Sequence, residues 1–283
     1  MTLLVRDDRQ AVEYNIAYHL SQGVDYIIAT DNRSRDGARD VLLHYQKLGV
    51  LHLIDEPADD FSQPNWVARM ARIAYEHAHA DWVIHVDVDE YWWPLQGDFK
   101  DGLKAIGPEE DILQIHRFNF WPLTEPKEPF WRHMVHREVQ HSITSAFGGG
   151  PLPPKICHRA VPEVDLNVGN HKISSPYLSA VSDQKPFIIF HFPYRSYEQL
   201  EDKISKGGKA LRANKQIPES LAGRWRLLYD LYLRGQLQEW YQSVPKISPL
   251  TEDAQESRIT KDTRLRDFME ELMVRSSMAG SKV

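Results

Sequence analysis

The sequence holds one cysteine, Cys157, among 283 residues, so no disulfide can close within it. That fits a reducing compartment, and a cytoplasmic location is the expectation. Long apolar runs are missing too: no stretch approaches the roughly 18 residues that a transmembrane helix needs, so no transmembrane segment is expected. Asp7 and Asp8 come too early for a secretory leader. Positive charge is scarce, with 34 Lys and Arg against 40 Asp and Glu for a net −6. Without a basic stripe, no nucleic acid is expected as a partner. Also absent is a Gly-x-Gly-x-x-Gly loop after any early strand, which removes the glycine cradle of dinucleotide enzymes. An acidic chain that binds a diphosphate then needs a cation to hold it.

What is present suffices for one large core, with 42% hydrophobic and 26% charged residues. The first half alternates two periodicities. Residues 2–6 (TLLVR) form an apolar run, followed by Val12, Ile16 and Leu20 on one helical face. Residues 26–30 (YIIAT), 50–54 (VLHLI) and 82–86 (WVIHV) read as further strands. Between them lie a helix carrying Val41, Leu42, Tyr45 and Leu48, and another over 64–79 opened by Pro64. Strands separated by helices in this way imply right-handed crossovers and a mostly parallel sheet. In such sheets ligands bind outside the carboxyl ends of the strands.

Each of these strands empties into acids: Asp7 and Asp8, then Asp31, then Asp55 and Glu56, then Asp87 and Asp89. Taken singly, such an acid is as readily a helix cap or turn residue, and Asp8 and Asp36 could be no more than that. Gathered on one sheet edge, like charges repel and call for an offsetting cation. In HVDVDEYWWP (85–94) a continuing strand would project Asp87 and Asp89 to one face. Paired hard oxygens suit Mg²⁺ or Mn²⁺ and leave positions for a substrate diphosphate. Glu90 reads as a surface or turn acid, and Trp92 and Trp93 as core residues before sugar-stacking platforms.

These stretches resemble the family 2 type of GT-A glycosyltransferases. LLVRDD (3–8) is similar to its opening strand, IATDNRSRDGARD (28–40) to its Thr-Asp-Asn-Gly-Ser loop, and HVDVDEYWWP to its Asp-x-Asp strand. WVARMA (66–71), with Arg69, resembles the helix before that strand. The resemblance implies an α/β GT-A fold: a Rossmann-like, mostly parallel central sheet flanked by helices. It implies a donor site of Arg6, Asp8, Asp31, Arg33, Arg69 and Asp87. It further implies a Mn²⁺ or Mg²⁺ ion on Asp87, Asp89 and His191, the last within FIIFHFPY (187–194). Three departures stand out. Asp8 replaces a common Glu, Arg33 and Arg35 replace Gly and Thr, and Met1 lies against the first strand as if a residue or two were missing.

The second half reads less regularly. Residues 111–120, 155–159 and 187–192 are expected strands, and FGGGPLPP (147–154) is a loop that could serve as a lid. Ser196 and Gln199 form a capping-box pattern that opens a helix. An inverting transfer needs a base near the acceptor hydroxyl. Besides Asp89, the candidates are Glu163, Asp165 and His171, with Glu138 further out; taken singly, each reads more readily as loop or turn chemistry. Lys155 and Arg159 are possible phosphate or acceptor contacts. His133, His136 and His141 have no cysteine support for a zinc site and read as scattered surface histidines. Residues 224–235 and 263–275 have helical spacing.

The expected organisation is a transferase domain over 1–212, split into a nucleotide-sugar half (1–95) and an acceptor half (96–212). A helical C-terminal extension over 213–283 follows, with a frayed end. The expected function is metal-dependent transfer of a hexose-type sugar from a nucleotide-sugar donor, UDP-linked, to an unidentified acceptor that could be a saccharide, a lipid-linked or a small molecule. The competing readings are a metal-dependent nucleotidyl or phosphoryl transferase and a non-catalytic nucleotide-sugar-binding protein. A glycoside hydrolase fits less well, since its two carboxylates must flank the sugar.

Overall fold

Leu3 and Val5 of strand β1 (Thr2–Val5) are fully buried, and this strand organises a six-stranded sheet. The computed structural model describes residues 1–122, 128–140, 152–215, 217–218, 222–243 and 259–280. From β1 the chain runs through α1 (Arg9–Ser21), β2 (Ile27–Asp31), α2 (Ala38–Lys47), β3 (Leu51–Asp55), α3 (Gln63–Glu76) and β4 (Trp82–Val86). All the expected early strands and helices are there, within a few residues of their expected ends. Strand β6 (Ile112–Ile115) and β9 (Lys155–Arg159) complete the order β3-β2-β1-β4-β9-β6. Strand β9 is antiparallel to both neighbours, whereas β1 pairs parallel with β2 and β4, and β2 with β3. The mostly parallel sheet flanked by helices, expected of a GT-A fold, is therefore what the chain adopts.

The strand order reverses direction between β1 and β4, since β2 and β3 build outward on one side of β1 and β4 lies on the other. Such a switch point leaves a crevice beyond the carboxyl ends of the two strands. One apolar cluster (Leu3, Val12, Leu42, Val86) fills the side of α1 and α2, and another (Val67, Met70, Ala74, Val83) the side of α3.

A second sheet, which the sequence reading does not contain, has the order β13-β8-β7-β12-β5. Its strands are β5 (Glu90–Pro94), β7 (Arg117–Trp121), β8 (His136–Glu138), β12 (Phe187–His191) and β13 (Ile259–Lys261). The single strand expected over 111–120 is thus two strands. Leu113 and Ile115 pack in the first core, while Phe120 packs against Phe190 and Phe192 in an aromatic second core. One apolar run serves two sheets, and the chain turns between them at His116. Trp92 is fully buried and Trp93 stacks on Phe190 at 5.3 Å, so both tryptophans belong to the core as expected.

The remaining elements are α4 (Phe99–Lys104), α5 (Phe130–His133), the hairpin β10 (Asp165–Leu166) and β11 (Ile173–Ser174), α6 (Tyr197–Ala213), α7 (Gly223–Leu233), α8 (Leu237–Ser243) and α9 (Arg264–Gly280). Ser196 caps α6 by accepting from the Gln199 amide at 3.1 Å, as its spacing with Gln199 implies. The C-terminal segment is built into the fold, because β13 pairs with β8 and Leu265 and Met269 of α9 enter the aromatic core. No helix among the described residues is long and apolar enough to cross a membrane.

Three histidines are buried as neutral bases in this core. Thr2 Oγ1 contacts His85 Nδ1 at 2.8 Å, and His85 Nε2 meets His158 Nε2 at 3.0 Å. Burial drives His19 down to about 3 and His158 to about 4, and holds His85 well below the ordinary histidine range. The unfolded chain takes up protons on these groups near pH 6.5 and the folded one does not. Their stabilisation is complete above that pH and falls away as pH drops toward the folded values. Unfolding free energy, measured by denaturant at pH 7, 6 and 5, is expected to decline by about 2 kcal/mol per histidine at pH 5.

Candidate active site

Asp87 and Asp89 sit beyond the end of β4, and their geometry corrects the strand-based expectation. Strand β4 stops at Val86, and Glu90 N donates to Asp87 O at 2.9 Å, so residues 87–90 form a tight turn. The two carboxylates therefore do not share a strand face. The turn is held from below by Asn15 of α1, whose fully buried amide donates to Val88 O at 3.2 Å and to Glu90 O at 2.8 Å. Asp87 stays 35% exposed and accepts from Lys155 of β9 at 2.5 Å. Asp89 is nearly buried and accepts from Lys203 of α6 at 2.7 Å.

Glu90 is the second correction. It is fully buried rather than a surface acid, lying 3.2 Å from Lys155 and 3.3 Å from Arg117. Its place at the start of β5, in the middle of the molecule, could not be read while that strand went unseen. Burial pushes its carboxyl up to about 7, with Asp87 adding to the rise against Lys155 and Arg117.

Asp89 faces His191, whose Nε2 lies 3.9 Å from Asp89 Oδ1. His191 Nδ1 meets Asn119 Oδ1 at 2.7 Å; an amide oxygen only accepts, so Nδ1 carries the proton and Nε2 presents a lone pair. Burial would raise Asp89, but the Lys203 ammonium holds it well below the carboxylate range, and burial keeps His191 neutral. Two acceptors thus face each other across a gap, an arrangement that suits a cation. No group of three His, Cys, Asp or Glu side chains is gathered for a metal among the described residues. Magnesium-type ions commonly rest on one or two carboxylates plus substrate phosphate, so the pair remains a fitting seat.

At the end of β1, Asp7 and Asp8 both adopt left-handed backbone angles, with φ of 64° and 72°. Successive non-glycine residues in that region are costly and mark a turn fixed by its surroundings. Asp7 N donates to Ser34 Oγ at 2.7 Å, and Asp7 Oδ1 accepts from Arg35 N at 2.6 Å. Lys206 of α6 binds the other Asp7 oxygen, and Arg195 binds Asp8 in a two-pronged pair. Arg6 and Arg33 converge on Asp59 at 2.6 and 2.9 Å. Asp31 closes β2 almost buried, its carboxyl raised by burial and its Oδ1 without a hydrogen-bond partner among the described residues. The acidic rim is real, but basic side chains of the chain itself offset most of it.

Other expected site residues lie apart from this turn. Arg69 pairs with Glu56 at 2.9 Å and braces the loop after β3. Glu163 and Asp165 are exposed at the β10–β11 hairpin, and among the described residues neither is joined to Asp87 or Asp89. His171 lies near Lys155 and Arg117 and contacts Pro154 O at 3.1 Å; burial and those two cations hold it down to about 2. Glu138 lies in β8, with His136 at its start, and His133 is exposed on α5. Arg159 lies over Trp82 at 4.6 Å and bonds Glu110 O and Gly107 O at 2.9 Å, a packing role. His141 and residues 147–151 of the expected lid fall outside the described residues.

Sequence reasoning missed Lys203, Lys206, Arg195 and Asn15. The lysines carried a usable signal, since Lys203, Lys206 and Lys209 recur every three residues on a capped helix. Asn15 and Arg195 carried none, because their partners are remote in sequence.

The profile of Glycosyltransferase family 92 matches residues 5–176, more than half of the chain. Family 92 is distinct from the family 2 to which the motifs are likened; glycosyl transfer is common to both. No curated protein sequence matches significantly. Among solved structures, the chain is similar to the mannosyltransferase PcManGT of Pyrobaculum calidifontis, solved with GDP-Man and Mn²⁺, at 14% identity and TM-score 0.42, over 98% of this chain and 85% of that one. It is similar to S. aureus TarS, solved with UDP-GlcNAc, at 12% identity and TM-score 0.38, over 90% and 77%. HddC of Yersinia pseudotuberculosis gives 12% identity and TM-score 0.40, over 71% and 97%.

Proposed function

The chain belongs to glycosyltransferase family 92, and from that premise we propose that it moves a sugar from a UDP-linked donor to an acceptor hydroxyl, inverting the anomeric carbon, with a divalent cation. The observation that carries this reading is convergence: the Asp7–Asp8 turn, Asp31 and the Asp87–Asp89 turn follow β1, β2 and β4, around the switch point of the sheet. Asp31 Oδ1, buried without a hydrogen-bond partner among the described residues, suits a ribose or base donor. Arg6, Arg33 and Asp8 would line the nucleotide pocket. Arg69 would act there indirectly, through the loop it braces.

Asp89 and His191 would hold Mn²⁺ or Mg²⁺, with Asp87 beside them. Such an ion, when bound, neutralises charge growing on the leaving diphosphate. Lys155 and Lys203 place two fixed cations on the same carboxylates and hold the turn in shape before donor arrives. The acceptor proton needs a base matched to neutral pH. His171, held low by burial and by Lys155 and Arg117, and the hairpin carboxylates Glu163 and Asp165 are the acceptor-side candidates for that base.

Incubation with a panel of UDP- and GDP-sugars, with Mn²⁺ or with chelator, tests this by release of nucleoside diphosphate and by mass of the glycosylated product. A UDP-sugar consumed only with metal is the expected result. Turnover indifferent to chelator would remove the cation, and a panel with no donor bound would remove the donor site.

A further inference from the structure

Beside the Asp7–Asp8 turn lies a cavity of about 420 Å³ whose one wall comes from the sheet rim and whose other wall comes from α6 and α7. The rim contributes Arg6, Asp7, Arg33, Arg35 and Asp59. The helices contribute Lys206, Lys209, Tyr229 and Tyr232, all beyond residues 5–176 that the family profile matches. Five cations thus face two carboxylates, in a chain whose net charge is −6. A local excess of this sign selects an anion.

The lysines of α6 are spaced one helical turn apart and step along the rim. Lys203 reaches Asp89 after β4, Lys206 reaches Asp7 after β1, and Lys209 acts on Asp59 beyond β3. The two glycines between them set the second wall. A Cβ on Gly208 would lie 2.5 Å from Tyr229 Cβ, and one on Gly207 would lie 2.5 Å from the Trp225 ring. Only glycine lets α7 seat this closely. That seating brings Tyr229 and Tyr232 to the cavity with their rings 6.0 Å apart and 20° from parallel. A bare phosphate would need the cations alone. Cations together with an aromatic wall fit a ligand that joins phosphates to a flat ring.

We propose that the α6–α7 pair forms the outer wall of the donor pocket, with Lys206 and Lys209 on the diphosphate side and Tyr229 and Tyr232 against the nucleobase. The proposal rests on the nucleotide-sugar reading above and adds donor-binding residues to it.

Calorimetric titration of the full chain with UDP, GDP and inorganic diphosphate, all with Mn²⁺, tests it. Lys209 is exposed, so Lys209→Ala leaves the fold intact; it is expected to weaken the nucleoside diphosphate and inorganic diphosphate alike, by roughly 5- to 10-fold at low salt and less at high salt. Tyr232→Ala is expected to weaken the nucleoside diphosphate by roughly 10-fold and leave inorganic diphosphate unchanged, while Tyr232→Phe binds as wild type. Thermal melts of each variant report folding. Wild-type affinity for the nucleoside diphosphate in both Lys209→Ala and Tyr232→Ala overturns the outer wall and leaves the donor reading standing. A wild-type chain that binds no nucleotide removes the donor reading itself, and the wall with it.

Discussion

Asp89→Asn is expected to lower kcat/KM by roughly a thousandfold, about 4 kcal/mol of transition-state stabilisation, while the chain stays folded with a lowered melting temperature. The amide keeps the carboxylate's shape and loses only its charge. Structurally the loss is partial: the folded chain gives up the ion pair that favours ionised Asp89, but Lys203 is 37% exposed and can turn to water, and the Asp89 carbonyl still accepts from Phe192 N at 2.8 Å. Chemically it is large, because Asp89 with His191 is the proposed seat of the cation. Asp55→Asn is the control at the same rim. Asp55 ends β3 and pairs with Arg39 in solvent, so its loss is expected to leave turnover within about twofold. Equal losses in both variants would mean that general rim charge, and not the Asp89 seat, supports the reaction.

Lys155→Met is expected to have the largest effect on folding. Its ammonium is fully buried between Asp87 and Glu90, and Glu90 is itself fully buried. Removing one partner of a buried ionic cluster costs about 3–5 kcal/mol, because the remaining charge is left without compensation. Arg117 still reaches Glu90 at 3.3 Å, which places the expected loss near the lower end, about 3 kcal/mol. Glu90 can escape by taking up a proton, and its carboxyl already sits at about 7 with the lysine present. Without Lys155 it protonates more readily, so the gap between variant and wild type should narrow from pH 8 to pH 6. The double variant Lys155→Met with Glu90→Gln should be more stable than the two single losses sum to, by roughly 1–3 kcal/mol in a denaturant cycle. A strictly additive cycle would show that the cluster is not coupled.

The parallel sheet was legible because its information is local. TLLV, IIATD, LHLID and WVIHV are short apolar runs with helical periodicity between them, and each ended within a residue or two of where the pattern placed it. The second sheet was illegible for the opposite reason. Its strands pair across the chain, Phe187 with Pro94 and Arg137 with Phe120, and no local period announces such partners. Glu90 was misread on the same account: its sequence neighbours suggest a turn, and only the unseen β5–β12 pairing shows that it is enclosed. The acids of the rim were visible, and so was the inference that they need positive charge. What supplies much of that charge, Lys155 from β9 and Lys203 and Lys206 from α6, follows from how remote elements fold back over the rim.

The proposed place of the donor's diphosphate is the switch point between β1 and β4, between the Asp87–Asp89 turn and helix α6. A crystal structure of the wild-type chain soaked with UDP and Mn²⁺ measures it directly. Phosphate density is expected within bonding reach of Lys203 or Lys206, with the metal touching Asp89 and His191. Nucleotide density on another face of the sheet, with Asp89 and His191 touching neither phosphate nor metal, would contradict it.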